Sequence, residues 1–162
     1  MLILITILLL IAAAIGLILL RVLRPEFRFA WLTAVSAVFL AWITLFLWLL
    51  QLPLSLNMPS WTPTDLFSSS PSLQVDGLLW PYAFSLVTLA IAILLTASAR
   101  EGFPDSLGWA VSLIMCALGL LAVTAGNPLT LVLVWGAVDL AELVIMVRTV
   151  KGSVPSEASR KT

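Results

Sequence analysis

Histidine is absent from this 162-residue chain, cysteine and tyrosine occur once each, and only 10% of the residues are charged. The lone Cys116 excludes an internal disulfide. Without histidine or further thiols, zinc and iron–sulfur sites built from this chain alone have almost no ligands to draw on. There is no phosphate-cradling glycine loop and no nucleophile–base pair, so no catalysis and no cofactor is expected of the chain itself. Eight Lys and Arg balance eight Asp and Glu. A net charge of +0 gives no basic field for nucleic acid. Ordinary soluble domains are about 25% charged. A chain with less than half of that is too poor in charge to clothe a soluble surface. What is present in abundance is apolar: 62% of residues are hydrophobic and the mean hydropathy is +1.16. Lipid solvates such a chain directly.

The apolar residues fall into five runs long enough to cross a bilayer, about 2–20, 29–52, 78–99, 107–125 and 129–149. The expected fold is an all-α integral membrane protein with five transmembrane helices in one domain, residues 1–150, followed by a polar tail, 151–162. The first run lacks the basic start of a signal peptide, so it is expected to stay as a span. Ala12 and Gly16 form a small-xxx-small pair, expected at a helix contact. Trp31 and Trp48 lie near the ends of the second run, where indoles anchor at the interface or pack on a neighbour. Residues 53–77 hold four prolines and a Ser68–Ser70 run, which is loop chemistry, with room for a short interfacial helix around Trp61–Phe67. Asp76, Asp105 or Ser106, and Asn127 are expected to cap the third, fourth and fifth spans, with Pro128 at the first helical position of the last. Every Lys and Arg falls in the first loop, the third loop or the tail. By the positive-inside rule this puts the N-terminus outside and the C-terminus in the cytoplasm.

The fifth run carries the residues that call for a function. Asp139 and Glu142 sit inside the otherwise apolar stretch LTLVLVWGAVDLAELVIMV. At about 1.5 Å per residue from Leu129, Asp139 lies roughly 15 Å into a hydrocarbon layer about 30 Å thick. Glu142 follows at i+3, on the same face. An acid at that depth costs about 2.5–3.5 kcal/mol on insertion scales. None of the five spans has an interior Lys or Arg, and Arg148 lies toward the interface. Each acid must therefore be protonated, hydrated or paired by another polypeptide. They are the candidate ion-path residues. Their alternative role is structural, docking against a neighbour. Ser85, Thr88, Ser112 and Thr124 are expected to bond back to their own helices, and Cys116 to pack as a small buried hydrophobe.

Two stretches carry a family resemblance. LQVDGLLWPYAFSLVTLAIAILLTASA, with Asp76 and Gly77 within Leu73–Leu79, resembles the entry to the third span in the antiporter-like membrane subunits of respiratory complex I (NADH:quinone oxidoreductase) and the related multi-subunit sodium/proton antiporters. AGNPLTLVLVW, Ala125–Trp135, resembles the external turn and apolar run that end in Trp followed by Glu in that family. The resemblance implies a membrane subunit, corresponding to the N-terminal part of such proteins, that helps carry protons or sodium ions and does not pump alone. It further implies other integral membrane subunits as partners, one supplying a Lys or Arg to Asp139 and Glu142, redox cofactors held only by those partners, and the inner (cytoplasmic) membrane of a prokaryote. The family's functional glutamate position is Gly136 here, and Asp139 lies three residues on, one turn along the same face. A non-catalytic subunit that keeps these helices as a packing surface, and an unrelated scaffold or assembly protein, are the competing expectations.

Overall fold

A computed structural model describes residues 1–23, 29–57, 70–99 and 105–152, with the side chains of 148–152 left aside. It holds five helices, α1 Leu2–Leu23, α2 Ala30–Leu50, α3 Trp80–Ser98, α4 Ser106–Val123 and α5 Pro128–Gly152, all long and apolar enough to cross a membrane. Two short strands, β1 Leu54–Asn57 and β2 Ser72–Val75, lie between α2 and α3. The chain is a multi-pass membrane protein by this architecture. It is not purely helical: the stretch read as loop contains an antiparallel ladder pairing Leu54 with Val75 and Asn57 with Ser72. The sequence SLQV alternates toward one buried face, with Leu73 and Val75 inward. The short helix expected around Trp61–Phe67 lies outside the described residues.

Helices α1 to α4 form a closed ring in which each packs on the next and α4 returns to α1. The ring forms because each helix presents apolar residues at helical spacing. On α1 these are Ile3, Ile7, Leu10, Ala14 and Leu17. The expected Ala12–Gly16 contact is not used: Ala12 is exposed, and a Cβ at Gly16 would meet nothing within 4 Å. Close approach is achieved from α2 instead, where Ala30, Ala34, Ala37 and Ala41 line the buried face. Without water to drive helices together, small residues that allow tight van der Waals contact are what hold such an interface.

Polar atoms inside the ring are all bonded, with no buried side-chain nitrogen or oxygen left unpartnered among the described residues. Trp48, 0% exposed, donates from Nε1 to Thr6 Oγ1 at 3.1 Å. Thr6 in turn donates to Leu2 O and lies 2.9 Å from Thr44 Oγ1. Trp48 is therefore packed inside, against a neighbour, and does not anchor at the interface. Trp42 donates to Thr88 Oγ1 at 3.0 Å, and Trp80 donates to Leu45 O at 2.7 Å. Around these bonds Trp42, Phe46, Trp80 and Phe84 stack edge-to-face and tilted, joining α2 to α3. Thr88, Ser112 and Thr124 bond back to Phe84 O, Gly108 O and Leu120 O as expected, whereas Ser85, of which the same was expected, is exposed and makes no such bond among the described residues.

Helix ends follow their caps. Asp105 accepts from Gly108 N at 2.9 Å at the start of α4, and Asn127 accepts from Thr130 N at 2.8 Å at the start of α5. Asp76 makes the bonds expected of it, and α3 itself begins two residues later than expected. Asp76 Oδ1 accepts from Leu78 N and Leu79 N, closing a turn before α3 begins at Trp80. At the other end of the ring, Arg21 at the close of α1 pairs with Asp105 at 2.6 Å. Both side chains are substantially exposed, so the pair adds little stability, about 0–1 kcal/mol. It does show that the end of the first span and the start of the fourth share one side, the side on which the sequence places its positive loops.

Candidate functional site

Helix α5 stands outside the ring and packs chiefly on α4. In the apolar stretches of α1, α2 and α4, 33% of residues are buried, against 11% in α5. Its inward face is set by Thr130 and Val134, 6% and 7% exposed, continued one turn at a time by the half-buried Ala137 and Ala141. Asp139 lies nearly half a turn of the wheel away from that line, about 160–200° from Ala137 and Ala141 at 100° per residue. Asp139 and Glu142 are both exposed, in company with Val132 and Trp135, which are 62% and 65% exposed. The structure thus brings the two acids together on one face and turns that face away from the rest of the chain. Among the described residues neither acid makes a hydrogen bond or an ion pair. Among the described residues the one salt bridge, Arg21–Asp105, joins the end of α1 to the start of α4.

Gly136 is exposed, and a Cβ there would meet nothing within 4 Å. It belongs to the same open side of α5 as Asp139. No packing constraint of this chain requires the glycine.

The N-terminal end of α5 is fixed far more firmly than its middle. Gln74 N donates to Thr124 O at 2.7 Å, Gly126 N donates to Ser72 O at 2.8 Å, and Leu73 bridges Ala125. The turn before α5 therefore extends the β1–β2 ladder. Asn127 adds a side-chain bond, Nδ2 to Ser70 O at 2.6 Å, and Ser72 N donates to Thr130 Oγ1 at 2.9 Å. Glycine at 126 is required by this approach: a Cβ would lie 2.8 Å from Ser72 Oγ and 3.2 Å from Ser72 O. The two stretches that carry the family resemblance, around Asp76 and around Asn127, are the two that this ladder joins.

A cavity of about 500 Å³ lies beneath α5, walled by Leu4, Leu73, Leu121, Leu133, Val134 and Ala137 among others. It is apolar, and neither acid lines it. Among the described residues no group of His, Cys, Asp or Glu is arranged to hold a metal ion. What the site offers chemically is a pair of carboxylates one turn apart near the middle of a membrane-length helix, able to accept protons or to face a cation, on a surface the described residues leave bare. Thr6, Thr44 and Thr130 are the polar residues the sequence did not single out. Thr130 stands three residues after the cap Asn127, a spacing that would have found it.

No family model matches this chain, and no curated protein or solved structure matches it. The class that the fold and the site define is a multi-pass membrane protein with two acids at mid-span.

Proposed function

We propose that this chain is a membrane subunit of a multi-subunit, ion-translocating assembly of the complex I or sodium/proton antiporter kind, with Asp139 and Glu142 as stations for protons or sodium ions. The reading includes an N-terminus outside, a cytoplasmic C-terminus and residence in the inner membrane of a prokaryote. One observation carries it: the only two acids within the spans lie on the one helix that stands outside the ring, on the face the ring does not cover. An acid at mid-bilayer costs about 2.5–3.5 kcal/mol, so its presence on a bare face calls for an environment supplied from elsewhere. Intramembrane acids of this kind mark ion and proton pathways.

A second reading, a subunit that retains these helices for packing alone, draws on Gly136, where the family's glutamate is missing. The two readings separate on one experiment. The assembly bearing Asp139→Asn together with Glu142→Gln is purified, reconstituted into vesicles and assayed for coupled translocation per complex. The transport reading expects a fall on the order of a hundredfold, the low end of what a positioned proton-transferring group contributes. Loss of the assembly itself, or unchanged transport per complex, makes the packing role the correct one.

A further inference from the structure

We propose that the cavity beneath α5 holds one acyl chain of a membrane phospholipid, drawn from the half of the bilayer on the side of the β1–β2 ladder, and that this chain bridges α1 to α5. The inference uses only the membrane architecture and is independent of what Asp139 and Glu142 carry.

The cavity of about 500 Å³ takes its walls from three helices: Leu4 on α1, Leu121 on α4, and Val134 and Ala137 on α5. Helix α5 packs chiefly on α4, so the space lies where close packing against α1 is wanting. Leu133 also lines it and is 44% exposed, which puts an opening on the side of the helices, toward lipid.

The polarity of the wall runs one way. Ser72 and Thr130 are its polar residues, and they stand together at the ladder end. The Thr130 hydroxyl is already engaged. It accepts from Ser72 N at 2.9 Å and donates to Asn127 Oδ1 at 2.7 Å. The rest of the wall is hydrocarbon, with no charged side chain. An occupant therefore keeps an apolar body in the cavity and any polar end at the ladder.

Depth selects among apolar occupants. Thr130 to Ala137 covers about 10 Å along the axis, from the first turns of α5 toward its middle. The hydrocarbon of one leaflet is about 15 Å deep, half of a core roughly 30 Å thick. An acyl chain hung from a headgroup at the ladder end follows that path. A transmembrane helix does not fit, since a cylinder about 10 Å across and 10 Å long needs roughly 800 Å³. Water would find no free polar partners, and apolar cavities stay dry. Left empty, the walls would forgo dispersion contacts wherever they face the void. A closed apolar cavity of about 150 Å³ already takes up benzene. This larger one opens on a solvent made of acyl chains.

The test uses the full chain, with whatever accompanies it from its native membrane. Cells are supplied with a fatty acid bearing a diazirine at mid-chain, so that their phospholipids carry it. The chain is extracted in mild detergent, washed free of bulk lipid and then irradiated. The expected result is one phospholipid retained per chain, joined to the segments that hold Leu4 and Leu133 to Ala137. Ala137→Trp fills the cavity and should lower that retention by about tenfold or more. Leu40→Trp adds bulk on the exposed side of α2, away from the cavity, and should leave retention unchanged. Absence of a retained phospholipid, adducts spread evenly over the helices, or an isoprenoid or a polypeptide segment found at Leu4 and Ala137 overturns the proposal. So does full retention by Ala137→Trp, or an equal loss from Leu40→Trp. The adduct is mapped on the unmodified chain, so it decides the question even if Ala137→Trp fails to fold.

Discussion

Truncating Trp48 to alanine is expected to cost about 2–4 kcal/mol of packing stability in the ring. In soluble cores such a truncation costs about 3–5 kcal/mol. Part of that figure is transfer from water, which vanishes when the separated helices remain in lipid. The cavity and the lost dispersion contacts remain, because Trp48 is 0% exposed and wedged between α1 and α2. Unfolding titrations in mixed micelles would measure it. A companion cycle isolates the polar part. Thr6→Val keeps the shape but leaves the buried Trp48 Nε1–H without its acceptor. Interhelical hydrogen bonds in membranes average about 0.6 kcal/mol and reach about 1.7. Here the donor is fully buried, so a coupling toward the upper value is expected between Thr6→Val and Trp48→Phe. A Trp48→Ala cost below about 0.5 kcal/mol would mean that α1 and α2 are not organised around this residue.

The second large effect is expected at Asn127. One side chain makes three bonds, from Nδ2 to Ser70 O at 2.6 Å, and at Oδ1 from Thr130 N at 2.8 Å and Thr130 Oγ1 at 2.7 Å. Asn127→Ala removes the cap, worth about 0.5–2 kcal/mol, and frees an acceptor and a hydroxyl that sit part-buried. A local loss of about 2–3 kcal/mol follows. Hydrogen exchange should locate it. The amides of Gln74 and Gly126, which tie β2 to the turn, should exchange on the order of thirtyfold faster or more, while amides in α1 and α2 keep their protection. Asn127→Asp keeps the acceptor for Thr130 but turns an oxygen in place of a donor toward Ser70 O, so it should keep the cap and fail to restore the tie to Ser70. Unaltered exchange at Gln74 and Gly126 would show that the ladder holds the turn without its cap.

The five helices were legible because a membrane demands long apolar runs, and caps such as Asp105, Asn127 and Pro128 mark where those runs begin. Observed bounds differ from expected ones by at most three residues, which is the usual fraying of helix ends. The ladder was less legible. Its strands are four residues each, separated by a proline- and serine-rich stretch, and β2 gains its partners from Ala125 and Gly126, some fifty residues away. Turn chemistry announces a loop and says nothing of distant pairing. The inward faces were least legible. Helices that are apolar all round give no contrast between the lipid side and the packed side. Ala12–Gly16 was therefore expected at a contact and faces outward, while the working small residues are the alanines of α2. In the candidate site the mid-helix position of Asp139 and its shared face with Glu142 followed from counting alone. That the face is turned away from the ring did not, because it depends on which side of α5 meets α4.

The central claim is that the acids of α5 make this chain one member of a larger assembly. The direct measurement is the mass of the intact particle extracted from native membranes in mild detergent, followed by identification of its polypeptides. The account predicts the 17.5 kDa chain in a complex with other multi-span polypeptides, whose summed mass exceeds any simple multiple of its own. A particle made only of this chain, alone or in copies, would contradict it.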